Sequence, residues 1–260
     1  MLFDPQLCKK IERIPEPNSH IIFERKLDGG RALVSTKPKI YSRRGLDQSL
    51  KFPLIIQELK MLPEDTILDG EITVFEDGIS NFRYFLKRVQ PENPFIIKQR
   101  IKRFPATLWV FDILRFKGQD LRDLTLRERK SFLMSWIRET EHIKVLKYYE
   151  KPDPLLKLKN VIEGVVIKDL GRRYEEGKRS GTWKKLKFVK EKTVTIVDFE
   201  DQPNGVTLVT KDGQRIDWNG RNVQQKVRNL MEKGSFKADV EYQSVSETRK
   251  MRFPAFKGVA

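Results

Sequence analysis

One cysteine, Cys8, and two histidines, His20 and His142, are all that 260 residues supply of the softer metal ligands. A lone cysteine excludes an internal disulfide, and these three residues leave no Cys/His metal cluster. Any metal the chain uses is then held by oxygens, which points to magnesium. Also missing is an uninterrupted apolar run of about 18 residues, so no membrane-spanning helix is expected. The N-terminus, Met-Leu-Phe-Asp-Pro-Gln, lacks the basic-then-apolar order of a secretion signal. These absences predict a soluble, cytoplasmic protein with no membrane partner. Internal repeats and low-complexity segments are absent as well, which excludes a solenoid.

What is present fits a folded, basic protein. Hydrophobic residues make up 38% and aromatics 10%, enough for a real core, so disorder over most of the length is excluded. Lys and Arg number 52 against 36 Asp and Glu, a net charge of +16. Such a surface favours a polyanionic partner. From residue 189 onward, 8 Lys and 5 Arg face 10 acids, leaving +3 there and +13 in residues 1–188. Phosphate binding is therefore expected in the first part, with strong salt dependence.

Apolar runs rich in β-branched and aromatic residues predict strands at His20 to Leu27, Ala32 to Ser35, Thr66 to Phe75, Thr107 to Leu114 and Val161 to Lys168. Arg127 to Glu139 reads as a helix with Phe132, Leu133, Trp136 and Ile137 on its apolar face. Near residue 189 the texture changes. Short strands at Thr193 to Phe199, Val206 to Thr210, Gln214 to Trp218 and Phe236 to Tyr242 are broken by Pro203-Asn204-Gly205 and Asp212-Gly213. One helix, with Val223, Val227, Leu230 and Met231 on a face, ends at Gly234. Several strands and one helix in so short a stretch suit a five-stranded barrel of the OB type. The expected class is α+β, with domains at residues 1–188 and 189–260.

The most informative segment is Glu24-Arg25-Lys26-Leu27-Asp28-Gly29-Gly30-Arg31. A lysine amine is a nucleophile only when deprotonated, by burial or by neighbouring cations. Lys26 follows the apolar Ile21, Ile22 and Phe23, which places it at the end of a buried strand. Gly29 and Gly30 let backbone approach a nucleotide closely, and Arg31 offers a planar fork for phosphate or ribose oxygens. Further segments carry matching residue types. Ser42-Arg43-Arg44-Gly45 sets an arginine beside a turn. Leu68-Asp69-Gly70-Glu71-Ile72 puts carboxylates inside a strand, where an unpaired acid is costly. Phe111 lies in a strand and can stack on a base. Glu163-Gly164-Val165-Val166-Ile167-Lys168 is a second strand opened by an acid. Arg179 precedes Trp183-Lys184-Lys185-Leu186-Lys187, in which Lys185 and Lys187 share a face.

Taken in order, these segments resemble the covalent nucleotidyltransferases, and most closely the ATP-dependent DNA ligases, from about residue 20 to 190 and more loosely to the C-terminus. The resemblance implies an adenylation domain of antiparallel sheets and flanking helices followed by an OB-fold barrel. It implies that Lys26 carries AMP and that Glu24, Arg31, Arg43, Glu71, Phe111, Arg179, Lys185 and Lys187 hold the nucleotide. Glu71 and Glu163 are implied to bind Mg2+, with ATP as the adenylate donor and nicked duplex DNA as the partner of a monomer. Interleaved cations and aromatics between Asn81 and Arg88 further suggest that Arg83, Lys87 and Arg88 contact DNA.

Two departures stand out. The family's last motif is not plainly written, and Arg249, Arg252 and Lys257 are the candidates for orienting pyrophosphate. Only some twenty residues precede the adenylation segment, so the expected type is a minimal ligase of bacterial, archaeal or viral origin. Three rivals remain open: an RNA ligase, an mRNA-capping guanylyltransferase, and a non-catalytic nucleic-acid-binding OB protein.

Overall fold

The computed structural model describes residues 3–76, 78–245, 250–252 and 254–260. It divides into two compact units, Met1–Leu186 and Lys187–Ala260, where the sequence suggested a boundary after residue 188.

In the first unit the elements that position the site are β1 (Ile21–Lys26), β2 (Gly30–Ser35), β3 (Lys39–Ser42), β4 (Ile67–Glu76), α1 (Phe82–Val89), α2 (Pro94–Arg103), β5 (Ala106–Phe116), α3 (Leu126–Trp136), β6 (Tyr148–Tyr149), β7 (Gly164–Asp169) and β8 (Trp183–Lys187). One sheet has the order Lys9–Lys10, β8, β7, β1, β6. The other runs β3, β2, β4, β5, then Gln119–Asp120, with Ile79–Ser80 and Ile143–Val145 added beside β4 and β5. The chain crosses between the sheets at Leu27–Gly29, so Lys26 stands at the last position of β1.

Alternation along β4 builds the second sheet's two faces. Leu68, Ile72 and Val74 pack into a core with Val34, Ile40, Phe52, Ile55 and Leu108, whereas Asp69 and Glu71 point the other way, opposite Leu33 and Arg31 of β2. The glycine pair, which lines the cavity described below, is also required by the protein's own packing. A Cβ on Gly29 would lie 2.2 Å from the Ile72 carbonyl oxygen, and one on Gly30 would lie 2.1 Å from Phe85 Cζ.

Helix α3 starts at a capping box in which Thr125 and Glu128 satisfy each other's backbone N–H groups. It ends at Trp136, short of the expected Glu139. Leu133 and Ile137 are buried, while Trp136 is half exposed. The helix buries Arg129 and Lys130 too, which a reading by apolar face alone assigns to solvent.

Among its described residues the second unit has a five-stranded sheet, one helix and a short two-stranded pair, Ser244–Val245 with Met251–Arg252, in keeping with the expected barrel. The strands of the sheet are β9 (Lys190–Gln202), β10 (Gly205–Thr210), β11 (Arg215–Asn219), β12 (Phe236–Tyr242) and β13 (Ala255–Val259), with α4 (Val223–Met231) between β11 and β12. A register shift between Ile196 and Asp198 bends β9, which pairs with β12 through its first half and with β10 through its second. Trp218 of β11 stacks on Phe256 of β13 with centroids 3.9 Å apart, bringing the sheet's two edges together. Charged residues at both ends of β9, such as Lys190, Glu191, Glu200 and Asp201, conceal six of its residues from a reading by hydrophobicity.

Candidate active site

Register decides which side chains meet. Gly164 lies opposite Lys26, Val166 opposite Glu24 and Lys168 opposite Ile22, so Glu24, Lys26, Val166 and Lys168 share one face of the first sheet. Lys26 Nζ donates to Glu163 Oε2 at 2.5 Å, with side-chain exposures of 19% and 7%. Glu163 sits just before β7, which begins at Gly164 rather than at Val161.

Glu24 is buried between two lysines. Lys130 of α3 donates to its Oε1, and Lys168 Nζ lies 2.8 Å from its Oε2. Burial raises the carboxyl pKa, but the two ammonium groups outweigh it and hold it below the ordinary range. Lys168 is displaced downward, chiefly by burial and further by Lys130. Its ammonium also lies 4.0 Å from the ring centroids of both Phe111 and Trp183.

On the facing sheet Arg31 grips Asp69 with Nε at 2.5 Å and Nη2 at 2.6 Å. Tyr174 completes the group by donating to Asp69 Oδ2 at 2.8 Å. The fork expected to meet phosphate or ribose is thus occupied by a buried aspartate. Despite burial, Asp69 raises the guanidinium pKa, so Arg31 is a fixed cation whose plane lies over Phe111 at 4.7 Å. Glu71, across from Arg31, has no ion-pair partner among the described residues. Burial pushes its carboxyl up to about 7, with Glu163 and Asp69 adding to the shift and Arg31 and Lys26 opposing it.

Several of these groups line a cavity of about 500 Å³, while Glu163, Lys130, Asp69 and Tyr174 stand behind its wall-forming residues as their partners. Glu24, Lys26, Arg31, Arg43, Glu71, Phe111, Arg179 and Lys185, all singled out in the sequence, lie on its wall. Phe111 is 7% exposed and meets Trp183 edge-on at 6.0 Å. Arg179 is exposed and donates to the Cys8 carbonyl. Lys187 ends β8 and begins the second unit, and it is not among the residues lining the cavity.

The proposed DNA trio separates. Arg83 is exposed on α1, and Lys87 covers the rings of Tyr84 and Phe104 at 5.0 and 5.7 Å. Arg88 needs correction: it is 2% exposed, with its guanidinium over Phe52 at 5.2 Å, and burial lowers its pKa to about 10. Helical spacing turns it away from Arg83 into the α1 interface, so it is no surface contact. Of the C-terminal cations, Lys257 pairs with Glu241 at 2.6 Å, Arg249 lies outside the described residues, and Arg252 falls in a short strand, Met251–Arg252.

Sequence reading missed Lys130, Lys168, Asp69 and Tyr174 as members of the site. Asp69 and Lys168 stand inside quoted motifs, and strand alternation was the available signal for placing them. Lys130 carried none, because a lysine on a helix reads as solvated until the opposing sheet is known.

Comparison with known proteins follows this geometry. The family model described as "ATP dependent DNA ligase domain" matches residues 5–187. A DNA ligase of Thermococcus fumicolans is 32% identical over 186 residues, covering 66% of this chain and 33% of its own length. A DNA ligase of Archaeoglobus fulgidus is 30% identical over 198 residues, covering 72% and 35%. The chain thus spans about a third of the length of these curated relatives. Among solved structures, a Lig E DNA ligase aligns over 100% of both chains with a TM-score of 0.74 at 15% identity. The ligase domain of M. tuberculosis LigD aligns over 99% of this chain and 95% of its own with a TM-score of 0.63 at 20% identity. At such identities these two speak to the fold alone.

Proposed function

The chain belongs to the ATP-dependent DNA ligase domain family, and from that premise we propose that it seals 5′-phosphate/3′-hydroxyl nicks in duplex DNA, using ATP and a covalent AMP on Lys26. Lys26 Nζ held by Glu163, in a cavity walled by Phe111, Arg43, Arg179 and Lys185, is the observation that carries this reading.

The side chains divide the work. Lys26 attacks the α-phosphorus of ATP as the unprotonated amine, and its hydrogen bond to Glu163 supports that carboxylate as the proton acceptor. Phe111 offers a ring to the adenine, and Val166, also on the wall, packs beside it. Arg43, Arg179 and Lys185 offset phosphate charge as pyrophosphate departs. AMP then passes from Lys26 to the 5′-phosphate of the nick, and the 3′-hydroxyl displaces it to close the strand. Positioning and electrostatics provide most of the acceleration in such transfers, which suits a cavity of cations and acids without histidine.

The donor set also fits magnesium. Glu71 and Glu163 are hard oxygen donors, one opposite Arg31 in the sheet and the other bonded to Lys26, and Glu71 has no ion-pair partner among the described residues. When bound there, Mg2+ supplies charge neutralisation at the transferring phosphate. We place Arg83 on the DNA side and take the chain to act as a cytoplasmic monomer.

Incubation with α-labelled ATP or GTP, followed by nicked DNA or nicked RNA, tests the reading. The expected result is label from ATP on the protein, its passage to DNA, and sealing. Label from GTP alone, or sealing confined to RNA, overturns it in favour of capping or RNA ligation.

A further inference from the structure

Residues 6–11 form a strap that the sequence motifs leave unexplained. Gln6 anchors it: the residue is fully buried and uses every polar atom it has. Its backbone N–H donates to Tyr174 Oη at 2.9 Å and its Nε2 to Thr182 Oγ1 at 2.7 Å. Its Oε1 accepts from the Glu175 N–H at 2.9 Å, and its carbonyl accepts from Arg31 Nη2 at 3.3 Å. Leu7 and Cys8 follow on the cavity wall, and Arg179 donates to the Cys8 carbonyl. Lys9 and Lys10 then form a short strand parallel to β8, with Lys9 opposite Lys184 and Lys10 opposite Lys185. The Ile11 N–H closes this pairing on the Lys185 carbonyl at 3.0 Å.

Like charges directly opposite one another in a sheet are destabilising, and here two such pairs stand side by side. Both strap lysines are exposed, and neither has a carboxylate within ion-pair distance among the described residues. Alternation gives Lys10 its direction. Cys8, on the same strap and the same face, lines the cavity, and so does Lys185, the register partner, so Lys10 shares that face while Lys9 and Lys184 take the other. Lys10 is not itself a lining residue; its flexible four-carbon stem starts beside the wall and reaches over the rim.

A multiply charged anion between neighbouring ammonium groups cancels their repulsion, and the proposed reaction supplies one there. As the bond from Lys26 Nζ to the α-phosphorus forms, the bond from that phosphorus to the bridging oxygen breaks, and its electron pair leaves on pyrophosphate. Of the C-terminal cations expected to orient this group, Lys257 pairs with Glu241. We propose that Lys10, together with Lys185, binds the β- and γ-phosphates of ATP and the departing pyrophosphate. This role for Lys10 rests on the ligase reading for the identity of the anion.

Reversal of adenylation tests it, because pyrophosphate attacks the phosphorus of the Lys26-bound AMP, breaks the P–N bond and releases ATP and the free amine. Adenylated protein without DNA is mixed with pyrophosphate and Mg2+, and ATP formation is followed against pyrophosphate concentration for the wild type, K9Q, K10Q and K10R. Each is also given a nick already adenylated at its 5′-phosphate, whose sealing involves no pyrophosphate. K10Q is expected to raise the half-saturating pyrophosphate concentration about tenfold, the low end for a charge-assisted hydrogen bond. K10R restores most of this loss, and K9Q, on the other face, matches the wild type. Sealing of the pre-adenylated nick by K10Q keeps the wild-type rate, which reports that the variant folds and holds DNA. A half-saturating concentration unchanged in K10Q, an equal loss in K9Q or K10R, or a parallel loss of pre-adenylated sealing overturns the role of Lys10, while wild-type adenylation keeps the ligase reading. A wild type that takes no AMP from ATP overturns both.

Discussion

Replacing Arg129 by methionine isolates what the buried charge network contributes. Arg129 Nε and Nη2 donate to the two oxygens of Asp112 at 2.8 and 2.9 Å, and both side chains are 0% exposed. Asp112 directly follows Phe111, so the pair also anchors the strand that presents the ring. Burial alone raises the Asp112 pKa, and Arg129 more than reverses this, holding it below the ordinary range. In R129M the carboxylate stays buried with its main partner gone, a loss of about 3–5 kcal/mol. For a unit of this size that lowers Tm by roughly 6–20 °C. The sign with pH follows. In the wild type the Asp112 contribution is full above its unfolded pKa of about 3.9 and is lost as pH falls through the depressed folded value. In R129M the folded pKa lies above the unfolded one, so the penalty grows as pH rises and shrinks toward pH 4. Urea unfolding followed by tryptophan fluorescence at pH 4.5 and 7 reads both effects. D112L/R129M, which removes the orphaned charge, is expected to recover most of the loss. An R129M cost below about 1 kcal/mol at pH 7, a pH-independent cost, or a double variant no better than R129M refutes the reasoning.

Other consequences are as direct. Glu71 titrates at about 7 when folded against 4.5 otherwise, so the folded state holds the extra proton between these values. Metal-free stability therefore falls as pH rises through that window, and E71Q flattens the decline in thermal melts. F111L, by thinning the adenine stack, raises KM for ATP in self-adenylation by ~5- to 150-fold, the equivalent of about 1–3 kcal/mol per stacked base. G30A drives a Cβ into Phe85 and costs about 1–3 kcal/mol; F85A in the same chain restores melting toward the F85A value. A G30A melt equal to wild type contradicts the packing role of that glycine.

Much of the site was legible because its residues stand in strands, where alternation fixes faces. Alternation put Glu24 and Lys26 on one face of one strand, and the turn signals outlined the barrel; that Glu71 and Phe111, from other strands, join them on one wall was implied only by the resemblance. What stayed hidden depends on partners distant in sequence. That Arg31, opposite Glu71 in the register of β2 against β4, is spent on the diagonal neighbour Asp69 is something no local pattern states. Arg88 and Lys130 lie on helices whose charged residues read as solvated, yet each is turned inward by the element facing it. The glycines after Asp28 read as room for a ligand and do line the cavity, but that Ile72 and Phe85 also press on them is not visible in the sequence.

The central claim is that Lys26 carries AMP, and intact-mass measurement with peptide mapping after exposure to ATP and Mg2+ tests it most directly. One AMP per chain on the peptide holding Lys26 is predicted for the wild type. None is predicted for K26A, which should still close a nick supplied already adenylated at its 5′-phosphate. AMP on any other residue, or K26A modified like the wild type, contradicts the account.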